Sequence, residues 1–240
     1  MEAQGTLKVS RMPSGEPEVF HSIQGEGLTA GTPSAFLRLA TCNLACTWCD
    51  TRYTWDWERH DFRREVVSQP TEEIEERILG LGSRHLVITG GEPLLQQTEL
   101  APLVASLARQ GVYCEVETNG TVAPLPEMAA AVSQWNVSPK TRSSGNVESR
   151  RESPAALRAF RDLDNAIFKF VVVEPEDIDD VSRLVDRYDI APDRVLLMPE
   201  GVTATAVLDR GAWVAEECAR RGFRFTTRLH ILLWGDGRGR

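Results

Sequence analysis

The chain has 240 residues, of which 42% are hydrophobic and 26% are charged. Its 27 basic and 35 acidic residues give a formal net charge of −8, which argues against a nucleic acid or an anionic membrane as partner. Apolar runs such as AIFKFVVV are too short to span a bilayer. Five cysteines, three of them clustered, do not fit a disulfide framework. We therefore expect one globular domain, residues 1–240, that resides in the cytoplasm.

Short apolar runs alternate with longer amphipathic segments along most of the chain. The predicted strands cover residues 34–40, 85–91, 112–120, 134–139, 166–173 and 194–201. The predicted helices cover residues 71–81, 98–111, 153–163 and 176–189. Such alternation is typical of parallel strands joined by right-handed helical crossovers. About six βα units favour an α/β fold of the partial, open βα barrel type. Residues 1–33 precede the first unit and are predicted to form a short hairpin or cap.

Several residues outside the motifs have structural predictions. Thr71 is expected to cap the N-terminus of the predicted helix 71–81. Gly111 is expected to end the predicted helix 98–111 at its C-terminus. Cys114 and Cys218 lie in a predicted strand and a predicted helix, where buried, inert thiols are the usual case. The polar stretch 140–153 is predicted to be a surface loop.

Polar motifs follow five of the predicted strands. They are the cysteines after 34–40, TGGEP after 85–88, ETNGT after 112–116, SPK after 134–137 and MPEG after 194–197. In such a fold the C-terminal strand ends open on one face, where the active site is assembled. The sequence therefore predicts one site to which all five motifs contribute.

The stretch CNLACTWC places Cys42, Cys46 and Cys49 in a C-x3-C-x2-C spacing. Three thiols can hold zinc if Asp50 or His60 supplies a fourth ligand. They can also hold three irons of a [4Fe–4S] cluster, whose fourth iron stays open to a chelating cofactor. Zinc sites usually come as paired C-x2-C units, and the sequence has one such unit, which favours the cluster.

The cysteine spacing, with Trp48 before the last cysteine and TGGEP some forty residues on, resembles the signature of radical S-adenosylmethionine (SAM) enzymes. The amine and carboxylate of SAM would then occupy the open iron. A longer set of motifs is similar to the 7-carboxy-7-deazaguanine synthases, which act in queuosine and deazapurine biosynthesis. These motifs are SIQGEG (22–27), Arg38, CDT (49–51), TGGEP (89–93), ETNGT (117–121), SPK (138–140) and RLHILLWGDGRG (228–239).

The resemblance implies a radical SAM lyase that converts 6-carboxy-5,6,7,8-tetrahydropterin to 7-carboxy-7-deazaguanine with loss of ammonia. It implies a [4Fe–4S] cluster, SAM and Mg²⁺ as cofactors. The implied partners are the pterin substrate, a reductase such as flavodoxin or ferredoxin, and a second copy in a homodimer. One departure concerns Met198, which stands where some relatives carry a glutamine near the substrate.

The resemblance also assigns roles residue by residue. The matches to substrate contacts are Ile23, Gln24, Gly25, Glu26, Arg38, Thr89 and His230. Residues 1–33 are therefore expected to be a substrate-contacting extension. Glu117 ends a strand among these groups, and we expect it to bind a ribose or substrate hydrogen. The matches to SAM contacts are Trp48, Cys49, Asp50, Gly91, Ser138, Pro139 and Lys140. The chemistry of the TGGEP turn adds Glu92, whose carboxylate is expected near the ammonium of SAM. Cys42, Cys46 and Cys49 match the cluster ligands, and Thr51 matches the Mg²⁺ contact.

Some of these assignments agree with the chemistry of the side chains, and each has a structural alternative. A guanidinium fork at Arg38 suits a carboxylate, although an ion-paired strand arginine is equally ordinary. Glu117 could instead be a partner for Arg38 or Lys140. His230 could be a hydrogen-bonded core histidine, and Thr51 could serve a turn. Gln24 has both donors and an acceptor for a pterin edge.

Two other functions fit parts of the pattern. An activase that generates a glycyl radical on a partner protein shares the size and the cysteine spacing, but it needs a broad protein-binding surface. A non-catalytic zinc-binding module would use the thiols alone. SIQGEG, Arg38 and CDT favour a small anionic substrate over both.

Overall fold

One sheet of ten strands runs through the structure, a computed structural model that describes residues 5–240. Residues 1–4 of the predicted N-terminal extension lie outside the described residues. The strands are β1 (Thr6–Ser10), β2 (Val19–Ile23), β3 (Pro33–Leu39), β4 (Val66–Pro70), β5 (His85–Gly90), β6 (Tyr113–Thr118), β7 (Gln134–Val137), β8 (Ala166–Val172), β9 (Val195–Pro199) and β10 (Arg224–Phe225).

The order of the strands confirms the partial, open barrel. Strands β3, β5, β6, β7, β8, β9 and β10 are neighbours in that order and run parallel. Beyond β3 the sheet continues through β1 to β4 with antiparallel pairing. The sheet therefore begins at β10 and ends at β4. All six predicted strands are present, and the short β10 follows them.

Helices follow each of the parallel strands in the chain. They are α1 (Phe62–Glu65), α2 (Thr71–Gly80), α3 (Gln97–Arg109), α4 (Pro126–Ala131), α5 (Glu148–Arg151), α6 (Pro154–Arg161), α7 (Asp177–Tyr188), α8 (Ala204–Arg221) and α9 (Leu229–Trp234). The four predicted helices correspond to α2, α3, α6 and α7. Among the described residues, none of these helices combines the length and the apolar character that a membrane crossing requires.

The sequence had led us to expect a short hairpin or cap before β3. The described residues there do not form a separate hairpin. Strands β1 and β2 both pair antiparallel with β3 and so belong to the main sheet. One isolated bridge between Arg11 and Pro17 connects the two segments. The reason is that Leu7 and Val9 of β1 are fully buried, and a lone hairpin could not bury them.

The core explains why the periodic segments were recognisable. In α3 the face formed by Leu100, Leu103, Val104 and Leu107 is buried. Strand β8 is buried over its whole length, as is usual for a strand inside a parallel sheet covered on both faces. Cys114 and Cys218 are also buried, which confirms their predicted place in the core.

Two local predictions were wrong and one held. Thr71 does not cap α2, because Pro70 occupies the cap position and the Thr71 hydroxyl donates instead to the carbonyl of Gly5. The stretch 140–153 is more than a loop, since it contains α5 and the buried Arg151. Gly111 follows the last residues of α3 with a φ of +78°, the left-handed conformation that ends many helices.

Candidate active site

A cavity of about 440 Å³ opens where the parallel strands end. Motifs after β3, β5, β6, β7 and β9 line it, together with residues of β8 and of the tail 235–240. All the predicted site residues except Glu92 and Pro139 lie along this cavity. The five motifs thus meet at one place, as the sequence predicted.

Glu92 has a structural position beneath the cavity wall. Its buried carboxylate accepts hydrogen bonds from the backbone N–H of Leu94 at 3.0 Å and of Asn119 at 2.6 Å, and from the Thr118 hydroxyl at 2.8 Å. Burial raises the pKa of this carboxyl group, and the two backbone donors act in the opposite direction. Glu92 therefore joins the TGGEP turn to the ETNGT turn.

The two glycines of TGGEP are required by the packing of the backbone itself. Gly90 has a φ of +130°, and a Cβ atom there would overlap the carbonyl oxygen of Leu39. A Cβ atom on Gly91 would overlap the carbonyl oxygen of Thr41. The turn thus lies directly against the segment that leads into the cysteine loop, and only glycine permits this approach.

The three cysteines each have a hydrogen-bond donor close to their sulfur. The indole Nε1 of Trp55 donates to Cys49 Sγ at 3.2 Å. The amide Nδ2 of Asn146 lies 3.3 Å from Cys46 Sγ. At Cys42 the backbone N–H of Leu44 lies 3.5 Å from Sγ, and the amide of Asn119 lies 3.9 Å away. We call Cys42, Cys46, Cys49 and the donors Trp55, Asn119 and Asn146 the cysteine group.

Two thiols of the cysteine group, those of Cys42 and Cys46, lie in an environment that disfavours the thiolate. Burial raises the pKa of Cys42 to about 12 and also raises the pKa of Cys46. The thiolates that bind metals are therefore stable only when bound cations supply positive charge.

The fourth ligand that zinc would need is not in place. His60 does not line the cavity, and its Nδ1 lies 3.8 Å from Glu65 Oε1. Asp50 is bound by Arg228 through a short ion pair. These contacts favour a cluster over zinc.

Arg38 is held by a buried carboxylate. Its Nε donates to Glu18 Oε1 at 2.8 Å, and Glu18 is fully buried. The Tyr53 hydroxyl donates to the same carboxylate at 3.0 and 3.1 Å. Among the described residues no hydrogen bond occupies the two terminal nitrogens of Arg38, so the fork remains available to a ligand.

Four charged side chains form a second group, which we call the charged network: Glu26, Glu117, Lys169 and Arg228. Lys169 is 4% exposed and lies in a short ion pair with Glu26 and 3.3 Å from Glu117. Arg228 Nε contacts Glu26 Oε1 at 3.2 Å. Burial opposes the charge on Glu26, but Lys169 and Arg228 together lower its pKa well below the ordinary value.

Glu117 therefore has partners other than those the sequence suggested. One carboxylate oxygen faces Lys169, and the other accepts a hydrogen bond from the Thr89 hydroxyl at 2.8 Å. Neither Arg38 nor Lys140 is an ion-pair partner of Glu117 in the described residues. Lys140 instead donates to the Ser138 hydroxyl at 2.9 Å and lies 5.6 Å from the centre of the Trp48 ring.

Gln24 is fixed from beneath by a buried acid. Its Nε2 donates to Glu115 Oε1 at 2.7 Å, and its Oε1 accepts from the backbone N–H of Glu26 at 3.2 Å. Glu115 is fully buried and also accepts a hydrogen bond from Thr29 at 2.5 Å. Of the hydrogen-bonding groups of the Gln24 amide, one N–H thus remains free for a ligand.

The tail of the chain closes over the SIQGEG turn. The backbone N–H of Leu229 donates to Gly25 O at 2.8 Å, and any side chain at Gly25 would overlap His230. Burial lowers the pKa of His230, which keeps the imidazole neutral near pH 7. Further along, the guanidinium of Arg238 lies 3.2 Å from the centre of the Tyr53 ring. Turn and tail therefore form one wall.

Thr51 does not use its hydroxyl to cap the 3₁₀ turn that follows it. The nearest hydrogen-bonding atom to Oγ1 is the sulfur of Cys49, at 3.6 Å. Thr51 serves the turn through its backbone, because its carbonyl accepts from Thr54 N at 2.9 Å and from the Thr54 hydroxyl at 2.8 Å, while its own hydroxyl lies at the cavity.

Sequence reasoning missed several residues of the site. A signal existed for Lys169, which is a lone charge within the apolar run AIFKFVVV, and for Arg228, two residues before His230. No local sequence signal distinguishes Glu18, Trp55 or Glu115. Each acts through a contact that only the folded chain creates, with Arg38, Cys49 and Gln24 respectively. Met198 lines the cavity as an apolar wall, and Glu200 beside it is paired with Arg210 at 2.8 Å.

Comparison with known proteins agrees with this geometry. Residues 38–186 match the family described as the radical SAM superfamily. The 7-carboxy-7-deazaguanine synthase of Pyrobaculum aerophilum is 38% identical over 225 residues, which cover 93% of this chain and 96% of that protein. The protein of the same name from Halobacterium salinarum is 35% identical, with 91% and 90% covered.

The chain belongs to the 7-carboxy-7-deazaguanine synthase family of radical SAM enzymes. A solved relative supports the assignment in three dimensions. The crystal structure of QueE from Escherichia coli superposes with a TM-score of 0.69 at 27% identity and covers 94% of this chain and 95% of that one.

Membership of the radical SAM superfamily implies a [4Fe–4S] cluster and SAM, and the cavity fits both. Three thiols without a fourth protein ligand match a cluster with one open iron. The indole Nε1 of Trp48 is buried and has no hydrogen-bond partner among the described residues. A buried donor of this kind normally has a partner, and a cofactor beside the cysteines would supply one.

Proposed function

We propose that this protein catalyses the ring contraction of 6-carboxy-5,6,7,8-tetrahydropterin to 7-carboxy-7-deazaguanine with release of ammonia. The observation that carries the proposal is the meeting of the cysteine group, the free guanidinium fork of Arg38 and the charged network in one cavity. A glycyl-radical activase would need a wide surface for a protein, whereas this cavity has the volume of a small-molecule site.

Arg38 is proposed to bind the substrate carboxylate. Glu18 orients the guanidinium through Nε, and the two terminal nitrogens can then form the paired hydrogen bonds that suit a carboxylate. Because Glu18 and Tyr53 hold Arg38 before the substrate arrives, little side-chain entropy is lost on binding.

The pterin ring is proposed to lie between the SIQGEG turn and the end of β6. The free N–H of Gln24, the backbone of Ile23 and Gly25, and the neutral imidazole of His230 offer donors and acceptors to its edge. Thr89 and Glu117 contribute from the strand ends. Lys169 contacts one oxygen of Glu117 and the Thr89 hydroxyl donates to the other, so the carboxylate is held in one orientation instead of rotating.

SAM is proposed to lie against the backbone of Trp48, Cys49 and Asp50, with Gly91 near its methionine part. Ser138 and Lys140 would contact it from the opposite side. Glu92 and Pro139 do not line the cavity, so any role they have for SAM is to shape the wall. When bound, the cluster and SAM supply the 5′-deoxyadenosyl radical that removes hydrogen from C6 of the pterin.

Thr51 is proposed to be the protein ligand of a Mg²⁺ ion shared with the substrate. Mg²⁺ commonly takes few protein ligands and completes its octahedron with water and substrate oxygens. A hydroxyl with no strong partner at the cavity meets this need.

The wider setting is proposed from the family resemblance. The protein would act as a homodimer in the cytoplasm, as one domain over residues 1–240 with 1–33 as its substrate-contacting extension. A flavodoxin or ferredoxin would supply the electron.

The test is anaerobic incubation of the reconstituted protein with SAM, a low-potential reductant, Mg²⁺ and the carboxytetrahydropterin. Mass spectrometry should detect 7-carboxy-7-deazaguanine only when all components are present. Cleavage of SAM without this product would show a radical SAM enzyme with a different substrate. A protein that stays colourless after reconstitution with iron and sulfide would contradict the cluster itself.

A further inference from the structure

The indole of Trp55 is a dedicated hydrogen-bond donor to one cluster ligand. Its single N–H lies 3.2 Å from Cys49 Sγ and has no other acceptor among the described residues. At the other two sulfurs, the side-chain donor also contacts a second acceptor. The Asn146 amide also contacts Ser144 at 3.3 and 3.4 Å, and the Asn119 amide also donates to Asn43 at 2.9 Å.

The backbone around Trp55 is fixed so that the indole returns to Cys49. The backbone N–H of Trp55 donates to Arg52 O at 3.0 Å and ends the 3₁₀ turn. The carbonyl of Thr54 accepts from Thr41 N at 2.7 Å, next to the first cysteine. The segment after the cysteine loop is therefore attached to the segment before it, and Trp55 is half-buried at the cavity.

We propose that Trp55 raises the reduction potential of the cluster through its hydrogen bond to Cys49. A reduced cluster carries one more negative charge than the oxidised cluster, and part of that charge lies on the cysteine sulfurs. A donor to the sulfur stabilises the reduced form more, and hydrogen bonds to sulfur are a recognised control of such potentials. Trp55 is thus a positioning and tuning residue that does not touch the substrate. The inference rests on the cluster and not on the identity of the pterin.

The experiment compares Trp55→Phe with the native holoenzyme by EPR-monitored redox titration in the absence of substrate. We expect full iron content and a more negative midpoint potential. The equilibrium constant for one-electron reduction should fall roughly threefold to tenfold, or about 30 to 60 mV at 59 mV per tenfold. The matched control is Trp57→Phe, since Trp57 is exposed, stacks edge-on against Phe62 and lies outside the cavity. Its potential should not change.

An unchanged potential in Trp55→Phe would overturn the proposal. A less negative potential would also overturn it, because it would mean that the indole acts by excluding water and not by donating a hydrogen bond. Product formation is a separate readout, so a failure of the proposed substrate leaves this result unaffected.

If Trp55→Phe fails to retain its cluster, the test moves to protein that keeps Trp55. Trp48→Phe holoenzyme labelled with indole-¹⁵N tryptophan would be reduced and studied by pulsed EPR. A ¹⁵N coupling, together with a proton coupling that disappears in D₂O, is expected from Trp55. Absence of both couplings would contradict the hydrogen bond.

Discussion

The cysteine group and the charged network face the same cavity but are built from opposite kinds of side chain. Around the sulfurs, the hydrogen-bonding partners are neutral: an indole, two amides, a hydroxyl and a backbone N–H. In the charged network, Lys169 and Arg228 are compensated by Glu26 and Glu117, and Arg228 also pairs with Asp50 outside the network. The cofactor brings its own charge to the first group, whereas the protein must provide and balance the charge of the second.

The largest expected effect is at the cysteine group. Cys42→Ala, Cys46→Ala or Cys49→Ala should each abolish the cluster and all turnover, because each thiolate binds one iron. Cys114→Ala is the matched control: its thiol is buried in β6, so its loss should cost packing energy of about 1 kcal/mol or more but leave iron bound. Iron and sulfide analysis distinguishes them. Full iron content in Cys46→Ala would show that the ligands were wrongly chosen.

The charged network should respond in stability as well as in activity. Glu26→Gln leaves Lys169 and Arg228 buried without their shared carboxylate, which should cost about 3 kcal/mol in the free energy of unfolding. Urea unfolding of the metal-free protein at pH 7 measures it, with the exposed Glu216→Gln on α8 as control. A loss no larger than that of the control would mean that the network is not stabilising.

The same variant has a pH signature. The pKa of Glu26 is lowered in the folded state from its ordinary value of 4.5. Its contribution to stability is therefore complete above pH 4.5 and declines as the pH falls below that value. Because Glu26→Gln lacks this contribution, the difference in unfolding free energy between the two proteins should narrow below pH 4.5. A constant difference would contradict the lowered pKa.

Arg38→Lys tests whether the guanidinium of Arg38 binds the substrate carboxylate. A point charge cannot reproduce the fork, so pterin affinity should fall roughly tenfold to a hundredfold, or about 1.4 to 2.8 kcal/mol. Titration of both ligands should show that SAM binding is unchanged. The control is Arg59→Lys, an exposed arginine paired with Asp56 at 3.1 Å. Equal pterin affinity in the native protein and in Arg38→Lys would remove Arg38 from the substrate site.

The smallest expected effect is at Thr51, next to the cysteines. Thr51→Val keeps the shape and removes the oxygen, so it should leave the cluster and SAM cleavage intact but reduce the stimulation of product formation by Mg²⁺ severalfold. The control is Thr47→Val, whose hydroxyl bonds to Ser143 O at 3.0 Å, away from the cavity. Superimposed rate curves against Mg²⁺ for the native and Thr51→Val proteins would place the ion elsewhere.

The difference between the two groups also decided what the sequence could predict. The parallel strands and α3 were predictable because continuous apolar runs and a helical period reflect burial directly. The cysteine spacing was predictable because all three ligands lie within eight residues. The partners of the charged network were not, since Lys169 and Glu26 are 143 positions apart in the chain. Only the fold brings such pairs together.

The antiparallel strands β1 and β4, beyond β3 in the sheet, were difficult to predict for a related reason. Strand β1 has five residues, and β4 follows the four-residue helix α1. Segments this short carry little periodic pattern, and their pairing depends on β3. The structural purpose of Glu92 was also hidden, because a carboxylate that binds a ligand and one that caps a turn look alike in a sequence.

The proposed reaction is tested most directly by following one hydrogen atom. Carboxytetrahydropterin deuterated at C6 would be incubated anaerobically with the reduced holoenzyme, Mg²⁺ and SAM. We predict that deuterium appears in the 5′ position of recovered SAM or 5′-deoxyadenosine while 7-carboxy-7-deazaguanine accumulates. Recovered SAM without deuterium, and no deazaguanine product, would contradict the account.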